Sequence, residues 1–217
     1  MGHVIIAMDG PAASGKSSVA RLLAVRLGFV YVNTGELYRA VTWYFWKSGV
    51  TVSKVEAVRA ALLELTVDCP GEDGCSVVRV NGCYPGRELV RPEVTAAVSS
   101  VASQPEVRAR LLELQRDFAR RCDAVVEGRD IGSVVFPETP YKFYIDASEQ
   151  VRAARRARQG LDDLIAERDR LDSTRKVAPL VVPPGAHCID SSTITVEEVT
   201  LEILGWLKAH GLVQAAV

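Results

Sequence analysis

Short apolar runs along the chain alternate with stretches in which apolar positions recur at helical spacing. Val4 to Met8 is a continuous apolar run, as expected of a strand buried on both faces. From Ser18 to Leu27 the chain carries apolar residues at Val19, Leu22, Leu23 and Leu27, which is helical spacing. Phe29 to Val32 reads as a second strand, Asn33-Thr34-Gly35 turns the chain, and Glu36 opens another helix. Pro92 stands where a first-turn proline starts a helix, with Val94, Ala97, Val98 and Val101 on one face. Pro105 starts the next, with Leu111, Leu112 and Leu114 apolar. Ala124–Val126, Tyr141–Asp146 and Cys188–Asp190 supply three more strands. Thr195-Val196-Glu197-Glu198 is a capping box before a last helix that runs to about His210. This alternation predicts an α/β fold with a central five-stranded parallel sheet between helical layers.

Two stretches depart from the alternation. Residues 51–91 read as an inserted lobe. Ser53-Lys54-Val55-Glu56 is a capping box, and Val58, Leu62 and Leu65 continue a helical stripe. Cys75 to Val80 then reads as a strand meeting Asn81-Gly82, a strong hairpin signal, so the lobe is expected to carry a small antiparallel sheet. Residues 151–175 form the second stretch, a short helical lid rich in arginine. Arg152, Arg155 and Arg156 follow helical spacing, with Arg158 just beyond; Gly160 breaks the run and Asp162 restarts a helix. Arg168, Asp172 and Arg175 then share one face if that helix persists. The core is expected to comprise residues 1–50, 92–150 and 176–217, all within one unit.

Chemistry enters at the end of the first strand. Gly10, Pro11, Ala12, Ala13, Ser14, Gly15, Lys16 and Ser17, with Ser18 following, match G-x-x-x-x-G-K-[ST], the phosphate-binding P-loop. A strand, a glycine loop and a helix in that order let backbone N–H groups and a helix N-terminus face anionic oxygens. Lys16 would reach the β- and γ-phosphates of a nucleoside triphosphate, and the Ser17 hydroxyl would hold Mg²⁺. A chance glycine-rich turn before a helix is the alternative. Glu127-Gly128-Arg129-Asp130 follows the third strand, where functional residues of open α/β sheets gather. Glu127 could order a Mg²⁺-bound water there. Arg39 falls on the first turns of its helix, near the P-loop if the sheet is parallel. Ser99 and Arg108, taken alone, read as surface positions. The arginine stretch is either a solvated, salt-bridged helix face or a lid that closes over a transferring phosphoryl group. On the lid reading Arg175 is exposed, so its removal should lower turnover and leave stability nearly unchanged.

Composition narrows the partners. At 217 residues the length suits one core domain with a modest insertion. A net charge of −1 argues against a general nucleic-acid binder. No apolar stretch approaches the ~20 residues of a membrane span. Met1-Gly2-His3 runs straight into the first strand, which leaves no room for a signal peptide. Five cysteines without a Cys-x-x-Cys favour reduced thiols in a reducing, cytoplasmic compartment. Cys69, Cys75 and Cys83 cluster, but not at the spacing of a zinc site.

Taken together, the chain resembles the bacterial cytidylate kinases, a branch of the P-loop nucleoside monophosphate kinases. The resemblance is carried by Asp9-Gly10-Pro11 with the P-loop, Thr34-Gly35 with Tyr38-Arg39, and Arg91 through Arg108. It continues through Glu127 to Pro137, Arg168 through Arg175, and Val177-Ala178-Pro179-Leu180. It implies a three-layer P-loop NTPase fold, ATP as donor with Mg²⁺, and transfer of the γ-phosphoryl group to CMP and dCMP by a cytoplasmic monomer. Gly10 to Ser18 would bind ATP, and Lys16, Arg129, Arg168 and Arg175 would be catalytic. Arg39, Arg129 and Arg175 would hold the acceptor phosphate, with Thr34 beside it. Ser99, Arg108 and Asp130 would read the cytosine, and Arg168 and Asp172 would meet sugar and phosphates from the lid. Thr34 replaces a usual serine, Asn33 and Glu127 replace frequent aspartates, and Leu171 stands where a relative carries arginine. A related kinase acting on UMP or shikimate, and a P-loop switch without transfer activity, are the alternatives; shikimate has no base for Ser99, Arg108 and Asp130 to read.

Overall fold

The computed structural model describes residues 2–72, 74–118, 120–158, 170–175 and 177–212. The elements in chain order are β1 (Ile5–Asp9), α1 (Lys16–Leu27), β2 (Val30–Asn33), α2 (Thr34–Lys47), α3 (Val55–Glu64), β3 (Val67–Asp68), β4 (Gly71–Glu72), β5 (Cys75–Ser76) and β6 (Arg79–Val80). After them come α4 (Pro92–Ala102), α5 (Pro105–Phe118), β7 (Ala124–Gly128), β8 (Tyr141–Asp146), α6 (Glu149–Arg158), β9 (His187–Asp190) and α7 (Val196–Ala209). Among the described residues the main sheet runs β4-β5-β2-β7-β1-β8-β9, and β3 pairs with β6 in a separate antiparallel sheet.

The strand residues alternate between two cores, the period of a sheet covered on both faces. Ile6 and Met8 of β1 join Val19 and Leu23 of α1 and Ile203 and Leu207 of α7. Ile5 and Ala7 face the other way, onto Leu37 and Phe45 of α2, Val101 of α4 and Leu111 of α5. Truncating a fully buried residue such as Leu23 or Leu111 to alanine would cost about 2–5 kcal/mol. Register places the site. Asp9 pairs with Gly128 and Asn33 with Glu127, so β1, β2 and β7 end side by side.

Three expectations need correction. The sheet has six parallel strands and one antiparallel edge strand, where the sequence suggested five parallel strands. The extra strand comes from the stretch Cys75–Val80, which splits. Cys75–Ser76 adds to the open edge of β2, with Tyr31 donating its N–H to the Gly74 carbonyl at 2.9 Å. Arg79–Val80 pairs with β3 instead. An unpaired strand edge holds a row of unsatisfied N–H and C=O groups, which captures a passing segment. The Asn81-Gly82 turn does form, with φ of 48° and 76° and the Val80 and Cys83 backbones bonded to each other at 2.8 and 2.9 Å. At α3 the expected capping box does not form. The helix starts at Val55, Lys54 is the cap residue without a side-chain bond, and Glu56 lies 3.4 Å from Arg59. The Thr195 box of α7 forms as expected, with Thr195 N–H 2.7 Å from Glu198 Oε2 and Glu198 N–H 3.2 Å from Thr195 Oγ1. No helix among the described residues is long and apolar enough to cross a membrane.

Candidate active site

The loop between β1 and α1 is built for close approach. Gly10 has φ of 149°, and a Cβ there would lie 2.1 Å from the Ile145 carbonyl oxygen. Ala13 and Gly15 also have positive φ, 59° and 89°. Outside the loop, side chains bind its carbonyls: Arg152 reaches Ala12 O at 3.3 Å, Arg155 reaches Ala13 O at 3.4 Å, and Ser191 Oγ reaches Ser14 O at 2.7 Å. In a trans peptide the N–H points opposite to the C=O. The N–H groups of Ala13, Ser14 and Gly15 therefore face away from these partners. Gly15 caps α1 without a side-chain bond, leaving the helix N-terminus open to an anion. Lys16 is buried and its Nζ donates to Pro11 O at 3.0 Å, folding the ammonium across the loop.

Beside the loop, Ser17 Oγ donates to Glu127 Oε2 at 2.8 Å and the Tyr31 hydroxyl donates to Glu127 Oε1 at 2.5 Å. Burial and the adjacent Glu127 carboxylate push the Tyr31 hydroxyl well above the ordinary tyrosine range, so it stays a donor. Thr34 Oγ1 donates to the Glu127 carbonyl at 2.8 Å, pinning α2 to the end of β7. Burial, then Glu127, raises the Glu36 carboxyl above its usual range.

The arginines converge from several elements. Asp172, buried in the helical residues 170–173, accepts from Arg129 Nε at 2.9 Å and from Arg175. The aspartate is thus bracketed by two arginines, but one of them is Arg129, from beyond β7. Arg168, Gly160 and Asp162 lie outside the described residues. Arg175 is not exposed: 10% of its side chain is accessible, so the expectation that its loss leaves stability untouched does not hold. Arg39 donates to Leu89 O and Thr95 Oγ1, both at 3.0 Å, joining α2 to α4.

A second ion pair lies deeper. Arg108 of α5 and Asp130 are both buried and bonded to each other; Arg108 also donates to Ala102 O at 3.3 Å and lies 5.6 Å over the Tyr38 ring. Burial raises the Asp130 carboxyl, opposed by Arg108, Arg175 and Arg129. Asp9 is fully buried and accepts the N–H groups of Ile131 and Gly132, each at 2.7 Å. Burial carries its carboxyl up to about 6, against the pull of those N–H groups and of Lys16.

One cleft of about 370 Å³ joins these groups. Lys16, Ser17 and Glu127, the Arg108–Asp130 pair with Ser99, and Arg39, Arg129, Asp172 and Arg175 all line it. The sequence family described as cytidylate kinase matches residues 6–209 of the chain. The chain belongs to the cytidylate kinase family. A cytidylate kinase of Corynebacterium efficiens is 41% identical, with 96% of each chain covered. A bifunctional pantoate ligase/cytidylate kinase of Synechococcus sp. is 44% identical over 90% of this chain; the chain spans 42% of that relative's length. An uncharacterized protein from Eubacterium ventriosum shares the fold, with a TM-score of 0.52 at 15% identity over 95% of this chain and 99% of that one.

Several residues that hold this site together carry no mark in the sequence. Tyr31 sits on a strand among apolar residues, and nothing local marks its hydroxyl. Arg152 and Arg155 belong by sequence to the arginine-rich stretch, yet they bind the P-loop carbonyls. Arg155 also bonds Ser191 Oγ at 3.1 Å and Ser191 O at 2.7 Å, which ties α6 to the end of β9. The one available signal for Ser191 was its place just past a parallel strand's carboxyl end.

Proposed function

We propose that this family member transfers the γ-phosphoryl group of ATP to CMP and dCMP, giving CDP and dCDP. The buried Arg108–Asp130 pair carries the choice of acceptor, because it stands in the same cleft as the P-loop. Cytosine offers an N4 donor that a carboxylate accepts, whereas uracil places O4 against the same oxygen. Ser99 lines the same cleft and would complete the polar edge.

The P-loop N–H groups and Lys16 would hold the ATP phosphates. Ser17 Oγ and the Glu127 carboxylate, 2.8 Å apart, are hard oxygen donors that fit Mg²⁺ keeping water and phosphate as its other ligands. The ion, when bound, supplies charge neutralisation at the phosphate oxygens. Arg39, Arg129 and Arg175 would hold the acceptor phosphate, with the Thr34 hydroxyl beside it, and Asp172 would keep two of those arginines aimed. Arg168 would join them from the lid. Residues 51–91 form the acceptor lobe in this reading, and 151–175 the lid. The acceptor phosphate, with a second pKa of ~6, is mostly ionised at neutral pH, so no strong general base is needed. Alignment and positive charge around the transferring group carry the catalysis. Five cysteines, all free among the described residues, support a reducing, cytoplasmic setting, and the enzyme is read as a monomer.

Coupled ADP release with CMP, dCMP, UMP, AMP and GMP tests the proposal. CMP and dCMP should give the highest kcat/KM; UMP turned over equally well would overturn the assignment of the base site.

A further inference from the structure

The turn that follows Asp130 is capped by a residue from another strand. Residues Ile131–Val135 form a single π-helical turn, with the Val135 and Phe136 N–H groups bonded to the Asp130 and Ile131 carbonyls at 3.1 and 2.7 Å. Asp130 occupies the cap position, where an aspartate ordinarily accepts the N–H of the second or third residue of the turn. It makes no such bond here, and its carboxylate is directed to Arg108. Asp9 takes the two leading N–H groups instead, Ile131 with Oδ1 and Gly132 with Oδ2. Gly132 is fitted to this contact, since a Cβ there would lie 3.2 Å from Asp9 Oδ2 and 3.1 Å from Pro183 Cγ.

We infer that Asp9 is a positioning residue for acceptor choice: by capping the turn from β1 it frees the Asp130 carboxylate to face Arg108 and the base. Both carboxylates are buried, and the one at the end of β1 holds the Gly132 N–H that the cap residue Asp130 would otherwise accept. Without it, the buried Ile131 and Gly132 N–H groups lose their partner, and the Asp130 carboxylate, at the cap position of the same turn, is an acceptor placed to take the Gly132 N–H. That rotation would take the carboxylate off the base edge. Asp9 also precedes Gly10 directly, so the same residue anchors the start of the P-loop and the base-reading turn.

The inference rests on Asp130 reading the base, and the experiment separates the two. The ratio of kcat/KM for CMP over UMP is measured for wild type, Asp9→Asn, Asp130→Asn and the double variant. Asparagine at position 9 keeps the shape but turns an N–H toward an N–H. Asp130→Asn alone should lower the ratio; an unchanged ratio would overturn the base-site reading. Asp9→Asn should lower the ratio roughly tenfold in the wild-type background and leave it unchanged in the Asp130→Asn background. Equal losses toward CMP and UMP, or a further drop in the Asp130→Asn background, would overturn the positioning role and leave Asp9 as scaffold. Should Asp9→Asn not fold, Gly132→Ala decides in the same two backgrounds. It keeps both N–H groups and displaces the carboxylate, so a smaller, equally non-additive drop is expected.

Discussion

Replacing Asp172 with asparagine tests whether one buried carboxylate holds the phosphate-binding arginines. Asp172 has 3% of its side chain exposed, against 18% for Arg129 and 10% for Arg175. Asparagine can accept from one guanidinium, but its N–H₂ meets the other donor to donor. Removing one member of a buried ion pair costs about 3–5 kcal/mol. The two arginines line an open cleft and reach some water, which brings the figure down to about 2–3 kcal/mol. For a chain of this size that corresponds to a fall in Tm of about 5–10 °C. Saturating CMP should narrow the gap to wild type, because the acceptor phosphate supplies the missing anion to Arg129 and Arg175. Turnover should fall about 10–100-fold, since guanidinium groups displaced by an ångström no longer align the acceptor. Thermal melts with and without CMP, together with steady-state kinetics, provide the assay. A variant that melts with wild type and keeps its kcat would refute the reasoning, as would a Tm gap that CMP leaves unchanged.

Lys16→Ala should cut kcat by roughly 10²-fold or more while CMP binding is largely kept; near-normal kcat with only a raised KM for ATP would confine the lysine to binding. Gly10→Ala places a Cβ 2.1 Å from the Ile145 carbonyl oxygen at a backbone φ of 149°, so the loop or β8 must move. Its Tm should drop by about 10 °C or more and retention on immobilised ATP should be lost, whereas wild-type melting would show that the loop takes another path. Carbon-13 NMR of Asp9 should titrate at about 6, above the ordinary value of 3.8. Its folded-state pKa lies above the unfolded one, so folding takes up a proton between roughly pH 4 and 6. The contribution of this carboxyl to stability therefore declines as pH rises through that window. Observation of an ordinary carboxylate midpoint would show that the Ile131 and Gly132 N–H groups and Lys16 offset the effect of burial.

The features legible in the sequence are those made by residues adjacent along the chain. Eight consecutive residues, Gly10 to Ser17, carry the backbone freedom and the cation that a phosphate loop needs. The Thr195 and Glu198 capping box and the Asn81-Gly82 turn close over three or four residues, so local geometry alone decides them. Strands and helices followed from apolar spacing for the same reason. Failures began where a segment had a choice of partners. The capping box expected at Ser53 does not form, since α3 starts one residue later behind Lys54, and Cys75–Ser76 left its expected hairpin for the open edge of β2. Both outcomes turn on what else lies within reach in three dimensions. The site itself depends on contacts of the same kind. Ser17 and Glu127 are 110 positions apart, Tyr31 and Glu127 96, and Asp9 and Ile131 122. Motif spacing could nominate Lys16, Asp130 or Arg175, but not the carboxylates that aim and free them. Those partnerships are decided by the register of β1, β2 and β7, which sets three strand ends side by side, and by burial, which leaves each charge few neighbours to bond.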